Sequence, residues 1–107
     1  MRAVVTGGAG FIGSNLALDL ISNGHDVTIL DNLLSGYREN LNALSGVRFV
    51  EGDIRDPSAV DDAVEGAEVV FHLAACVGNK RSIDDPLLDA EINVLGTLQV
   101  LEAARRH

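Results

Sequence analysis

Four of the seven residues from Gly7 to Gly13 are glycine, in the run Thr6-Gly7-Gly8-Ala9-Gly10-Phe11-Ile12-Gly13, and no other stretch restricts the fold as much. The run lies between a short apolar segment, Ala3-Val4-Val5, and an apolar-periodic one, Leu16 to Ile21. Gly8, Gly10 and Gly13 fit G-x-G-x-x-G, and Gly7, Gly10 and Gly13 fit the wider G-x-x-G-x-x-G, so strand, glycine turn and helix follow in the order a dinucleotide phosphate site requires. The first glycines let the backbone leave the strand at dihedrals closed to other residues. Gly10 removes the side chain that would hold a pyrophosphate off the backbone, and Gly13 lets the helix lie close to the strand. The helix N-terminus then offers free N–H groups and about half an elementary charge to an anion.

The rest of the chain alternates strand and helix. Residues 3–6 read as a buried first strand, and the helix that follows carries Ile12, Leu16, Leu20 and Ala17, Ile21 as a buried stripe ending at Asn23-Gly24. Val27-Thr28-Ile29-Leu30 is the second strand; residues 33–46 are weakly patterned, with a short helix around 38–44; Val47-Arg48-Phe49-Val50 is the third. Asp56-Pro57 opens a helix, with aspartate at the N-cap and proline at the first helical position, and Gly66 closes it. Residues 68–73 form a fourth strand, apolar enough to be covered on both faces. After a loop over 74–82, Asp85-Pro86 repeats the helix start, and a helix of about 30 Å runs to Arg105. Such alternation predicts an α/β fold: a Rossmann-type parallel sheet truncated to four strands, in the order 3-2-1-4, with helices on both faces.

Composition removes several classes of function. With 107 residues the chain is one domain, and its net charge of −8 with only eight Lys and Arg argues against nucleic acid or an anionic membrane as partner. A bound dinucleotide must therefore be held mainly by backbone N–H groups. One cysteine, Cys76, excludes an internal disulfide and suits a reducing, cytoplasmic setting. The longest apolar run, 69–77, is too short to span a bilayer, and Met1-Arg2 leads straight into the first strand, so no leader is expected. No metal-ligating cluster is expected either.

Asp31 stands 18 residues after Gly13, at the end of the second strand. A carboxylate there accepts from adenosine ribose hydroxyls and repels a 2′-phosphate, which favours NAD over NADP. Asp53 ends the third strand on the same rim, where it can accept from an adenine amino group while Ile54 packs the ring. Leu73-Ala74-Ala75 ends the fourth strand, and small residues there leave room for the dinucleotide. His72 reads as a packing residue, Cys76 as a small hydrophobe, and Lys80-Arg81 as a solvated loop or a contact to an anionic substrate. Gly96, inside the last helix, costs about 1 kcal/mol against alanine, which close packing on the sheet or cofactor would explain.

Val5 to Ser14, Asp31-Asn32, Gly52-Asp53-Ile54-Arg55-Asp56, His72-Leu73-Ala74-Ala75 and Asn93-Val94-Leu95-Gly96-Thr97 together closely resemble the extended short-chain dehydrogenase/reductases. Within them, the NAD-dependent nucleotide-sugar epimerases and dehydratases of the UDP-glucose 4-epimerase kind look nearest. The resemblance implies that Gly7, Gly10 and Gly13 with Phe11 and Ile12 hold the pyrophosphate region. Asp31 and Asn32 would serve the ribose, Asp53 and Ile54 the adenine, and Leu73, Ala74 and Ala75 the nicotinamide side. It also implies a nucleotide-sugar partner, met through Lys80 and Arg81 in a longer parent.

One family feature is missing. The Tyr-x-x-x-Lys pair that supplies the general base has no counterpart, since Tyr37 is followed four residues later by Leu41 and the one lysine is Lys80. No catalytic residue is therefore expected. Residues 1–107 read as an incomplete NAD-binding domain without its substrate domain, inert alone. A stand-alone nucleotide-binding or self-associating module is the alternative. The exposed apolar edge at 69–73 predicts a homodimer or other self-association.

Overall fold

The computed structural model describes residues 1–34, 36–75 and 83–107. Strands β1 (Arg2–Thr6), β2 (Asp26–Asp31), β3 (Arg48–Glu51) and β4 (Val69–His72) form one parallel sheet in the order β3-β2-β1-β4. The expected order is therefore the observed one. In the register, Thr6 sits beside Leu30 on one side and His72 on the other, so the three strands end together.

Alternation along β1 supplies both halves of the core. Val4 faces one layer, with Leu30, Ile54, Val60, Val64 and Val100; Ala3 and Val5 face the other, with Ala17, Leu20, Val27, Ile29 and Leu44. Successive strand residues point to opposite faces, so a strand buried on both sides needs an apolar residue at every position. Helix α1 (Phe11–Ser22) covers the second layer with Gly13, Ala17 and Leu20, and α2 (Pro57–Val64) covers the first with Val60, Ala63 and Val64. Gly24, at φ +84°, lets the chain leave α1. Asp56 caps α2 by accepting from the Ser58 N–H. Ile12 departs from expectation: in the first turn of α1 it is exposed, and the buried face of the helix runs through Gly13, Ala17 and Leu20 instead.

The last helical stretch also differs from the regular helix predicted. It consists of α3 (Pro86–Ala90), capped by Asp85, then a π-helical segment (Glu91–Gly96), then α4 (Thr97–Arg106). The dihedrals stay helical across both junctions, so the stretch is continuous. Gly96 ends the widened segment hard against Ile54, where a Cβ would lie 2.5 Å from Cδ1 and 2.7 Å from Cγ1. Close packing does account for this glycine, and its contact is Ile54. Arg106 pairs with Asp61 at 2.7 Å, tying the end of α4 to α2.

Candidate functional site

The carboxyl ends of β1, β2 and β4 meet the glycine turn. Gly7 is the one residue of the turn with positive φ, +71°, and a Cβ on it would lie 2.9 Å from the Ala74 nitrogen. Gly8 is required for a different reason, since its Cβ would lie 2.6 Å from Ile29 Cγ2. At Gly13 a Cβ would come within 2.3 Å of the Gly7 carbonyl oxygen, so this glycine packs the helix onto the turn itself rather than onto the strand.

Gly10 is the N-cap of α1, and no side chain caps that helix. In α2 and α3 an aspartate fills the same position and accepts a backbone N–H. The first N–H groups of a helix have no partner within it, so α1 presents its first turn open to whatever lies before it.

What lies before it is a crevice of about 380 Å³, within the usual range for small-molecule sites. All twelve residues expected to touch a cofactor line it: Gly7, Gly10, Phe11, Ile12, Gly13, Asp31, Asn32, Asp53, Ile54, Leu73, Ala74 and Ala75. In sheet order the rim runs from Asp53 past Asp31 and Gly7 to Leu73, three strand spacings or roughly 14 Å. Leu30, Leu34, Gly36 and Ile92 line it as well. Gly36 lay in the weakly patterned stretch, yet its Cβ would fall 2.9 Å from the Ala9 backbone. The same stretch is fastened to the turn by the Tyr37 N–H and Asn40 Nδ2, which both donate to the Ala9 carbonyl.

Asp31 is buried, and its carboxylate is a junction. Oδ2 accepts the Ala9 N–H at 2.9 Å and Oδ1 the Leu33 N–H at 2.7 Å. The second bond helps hold Leu33 at φ +62°, a conformation that costs a non-glycine residue about 1 kcal/mol or more. Asp53 is more heavily engaged. Oδ1 accepts from the Arg55 backbone N–H and Nε, and Oδ2 accepts from Arg55 Nη2 at 2.7 Å and Asn32 Nδ2 at 3.0 Å. Side-chain hydrogen bonding from Arg55 is the main reason its pKa is lowered to about 2, against the opposing effect of burial. Arg55 also reaches Glu91 at 3.2 Å, joining the Asp53 end of the rim to the π segment. The sequence reading had assigned Arg55 no role.

At the other end, Leu73 and Ala74 both donate their N–H groups to the Thr6 hydroxyl, while His72 lies behind this wall and is not among the residues lining the crevice. Cys76, Lys80 and Arg81 lie outside the described residues. Among the described residues, the charged side chains lining the crevice are Asp31 and Asp53.

The sequence matches the model of the NAD dependent epimerase/dehydratase family over residues 3–107. The chain belongs to that family. Among family relatives, the UDP-glucose 4-epimerase of Mycolicibacterium smegmatis is 49% identical over 109 residues, which cover 98% of this chain and 35% of that protein. The CDP-paratose 2-epimerase of Salmonella typhi is 44% identical, over 100% and 33% of the two chains. A crystal structure of Thermus thermophilus UDP-glucose 4-epimerase in complex with NAD superposes with a TM-score of 0.90 at 47% identity, covering 99% of this chain and 34% of the other. The chain thus spans about a third of the length of these relatives.

The Asp53–Arg55 pair gives this family member a definite acid response. Because the folded pKa lies below the ordinary 3.8, the pair's contribution is whole above that value and is lost as pH falls toward about 2. Urea denaturation at a series of pH values should show stability falling over that window, and Arg55→Met should flatten the fall; an unaltered acid limb in the variant would contradict the pairing.

Proposed function

We propose that this chain binds NAD in the crevice, as the cofactor-binding portion of a nucleotide-sugar epimerase or dehydratase. The observation that carries the reading is the uncapped first turn of α1, opening onto a crevice whose charged side chains, among the described residues, are both acidic. Its likeness to an epimerase that binds NAD supports it.

In this reading the N–H groups of the first turn of α1 hold the pyrophosphate, and Gly10 and Gly13 keep side chains out of its way. Each Asp31 oxygen accepts one backbone N–H in the structure and retains a lone pair for a ribose hydroxyl. A 2′-phosphate would instead meet that carboxylate, so NAD is preferred over NADP. Asn32, bonded to Asp53, sits between ribose and adenine. Because Asp53 already accepts four N–H donors, the adenine amino group must share or displace one of them, and Ile54 gives the ring its main packing surface. Leu73, Ala74 and Ala75 face the nicotinamide side.

Bound NAD supplies a hydride acceptor for a sugar carbinol. The residues here bind and orient it, and with no Tyr-x-x-x-Lys pair in 107 residues they supply no base. We place the protein in the cytoplasm, in keeping with its single cysteine.

Calorimetric titration of NAD, NADP and ADP-ribose is the test. NAD and ADP-ribose should bind alike and NADP at least about tenfold more weakly, a difference of about 1.4 kcal/mol. Asp31→Asn is a better probe than Asp31→Ala, because its one amide oxygen can still accept the buried Ala9 N–H, while its NH2 then faces the part-buried Leu33 N–H and only that bond is lost; Asp31→Asn should narrow the gap between NAD and NADP. Equal affinities in the wild type would overturn the assignment of Asp31.

We also propose that two copies associate along β4. Among the described residues β4 pairs with β1 alone, and an open strand edge is a template for another chain. Sedimentation velocity should show dimers that dissociate when Phe71 is changed to lysine; a monomer at high concentration would refute it.

A further inference from the structure

Behind the Leu73-Ala74 wall runs a chain of hydrogen bonds that crosses from β1 through β4 to the last helix. The Thr6 hydroxyl oxygen accepts N–H groups from Leu73 at 3.0 Å and Ala74 at 3.1 Å, the first shared with the Thr6 carbonyl. Across the strand pair it lies 2.7 Å from His72 Nδ1, and His72 Nε2 lies 3.1 Å from the Thr97 hydroxyl. Thr97 in turn donates to the Asn93 carbonyl at 2.8 Å.

Counting protons gives every bond a direction. A hydroxyl has two acceptor lone pairs and one proton. With two N–H groups aimed at Thr6 Oγ1, its proton is left to point at His72 Nδ1. A ring nitrogen that accepts carries no proton, so the imidazole proton sits on Nε2 and is given to Thr97, whose own proton goes to Asn93. All donors therefore point one way, from the crevice wall to the helix. A second proton on the ring would set Nδ1–H against the Thr6 oxygen, which would have to turn its hydroxyl away and release a wall N–H. Burial, which lowers the His72 pKa, acts in the same sense. Of the ionisable groups around it, Glu68 and His107 line the same surface groove, Arg2 lies at the far end of β1, and Glu91 of the π segment is held by Arg55.

We propose that Thr6, His72 and Thr97 act as one positioning device, in which the Nε2–H form of His72 holds the Thr6 hydroxyl in the orientation that grips both wall N–H groups. The grip sets the wall close against Gly7, at the spacing that excludes a Cβ there. His72 is thus a positioning residue and not a catalytic one. The relay needs no ligand; its effect on NAD rests on the function proposed above.

Long-range proton–nitrogen spectra of the histidine rings and amide exchange at Leu73 and Ala74, on the full chain, test it. At neutral pH His72 should carry its proton on Nε2 alone. Thr97→Val, which keeps the shape and removes the acceptor, should give mixed tautomers, accelerate exchange at Leu73 and Ala74 by about tenfold or more, and weaken NAD binding. Thr97→Ser should restore all three. An Nδ1–H resonance in the wild type would overturn the proposal even if the valine variant failed to fold, and so would a folded valine variant with unchanged tautomer and exchange. If the wild type binds no NAD, the function proposed above fails, while the ring and exchange readouts still decide the relay.

Discussion

The carbonyl of Gly7 is the point on which the crevice is built. It accepts the Gly10 N–H at 3.1 Å, and it comes so near Gly13 that any side chain there would strike it. That contact fixes where α1 begins and how it is aimed. Because the turn is this tight, the N-cap falls on Gly10, which has no side chain with which to satisfy the helix's first N–H groups. The same turn exposes the Ala9 backbone, whose N–H goes to Asp31 and whose carbonyl takes Tyr37 and Asn40. One steric constraint thereby aligns the end of β2, the 36–40 segment and the helix opening around one crevice.

Electrostatics follows from that geometry. Among the described residues, the charged side chains lining the crevice are both carboxylates, so the attraction that these residues offer an anion comes from oriented peptide dipoles. The two rim carboxylates are kept in place by different means. Asp31 is held by backbone N–H groups, Asp53 by a guanidinium. The first arrangement leaves acceptor capacity for a ligand hydroxyl. The second nearly exhausts it, which is why the two acids, alike in sequence, contribute unequally to the proposed binding.

Much of this was legible in the sequence because it depends on short-range rules. Strand order follows from alternation and handedness, and residues at strand ends fall on one rim once the sheet is parallel, which is how Asp31, Asp53 and the Leu73-Ala74-Ala75 end could be placed beside the glycine turn; Phe11, Ile12 and Asn32 enter only through the family resemblance. The losses have physical causes too. Ile12 has helical spacing with Leu16 and Leu20, but spacing cannot show that the first turn of α1 opens onto a crevice, which Ile12 lines. The π segment carries little composition that distinguishes it from α-helix; Asn93 and Gly96 alone break the helical pattern there, and the partner of Gly96, Ile54, is 42 residues away. The Arg55–Glu91 pair and the Thr6–His72–Thr97 chain are likewise contacts between distant segments. His72 reads from the sequence as a satisfied packing residue rather than a base, and the partners that satisfy it are the hydroxyls of Thr6 and Thr97.

The central claim is that an anionic dinucleotide is held at the carboxyl ends of the strands by the first turn of α1. Backbone amide chemical-shift mapping during titration with NAD tests this most directly. The account predicts saturable shifts at Gly10 to Gly13, at Asp31 to Leu33 and at Leu73 to Ala75. Shifts confined to the opposite end of the sheet, around Arg2, Arg48 and Gly66, where a second groove with two arginines lies, would contradict it.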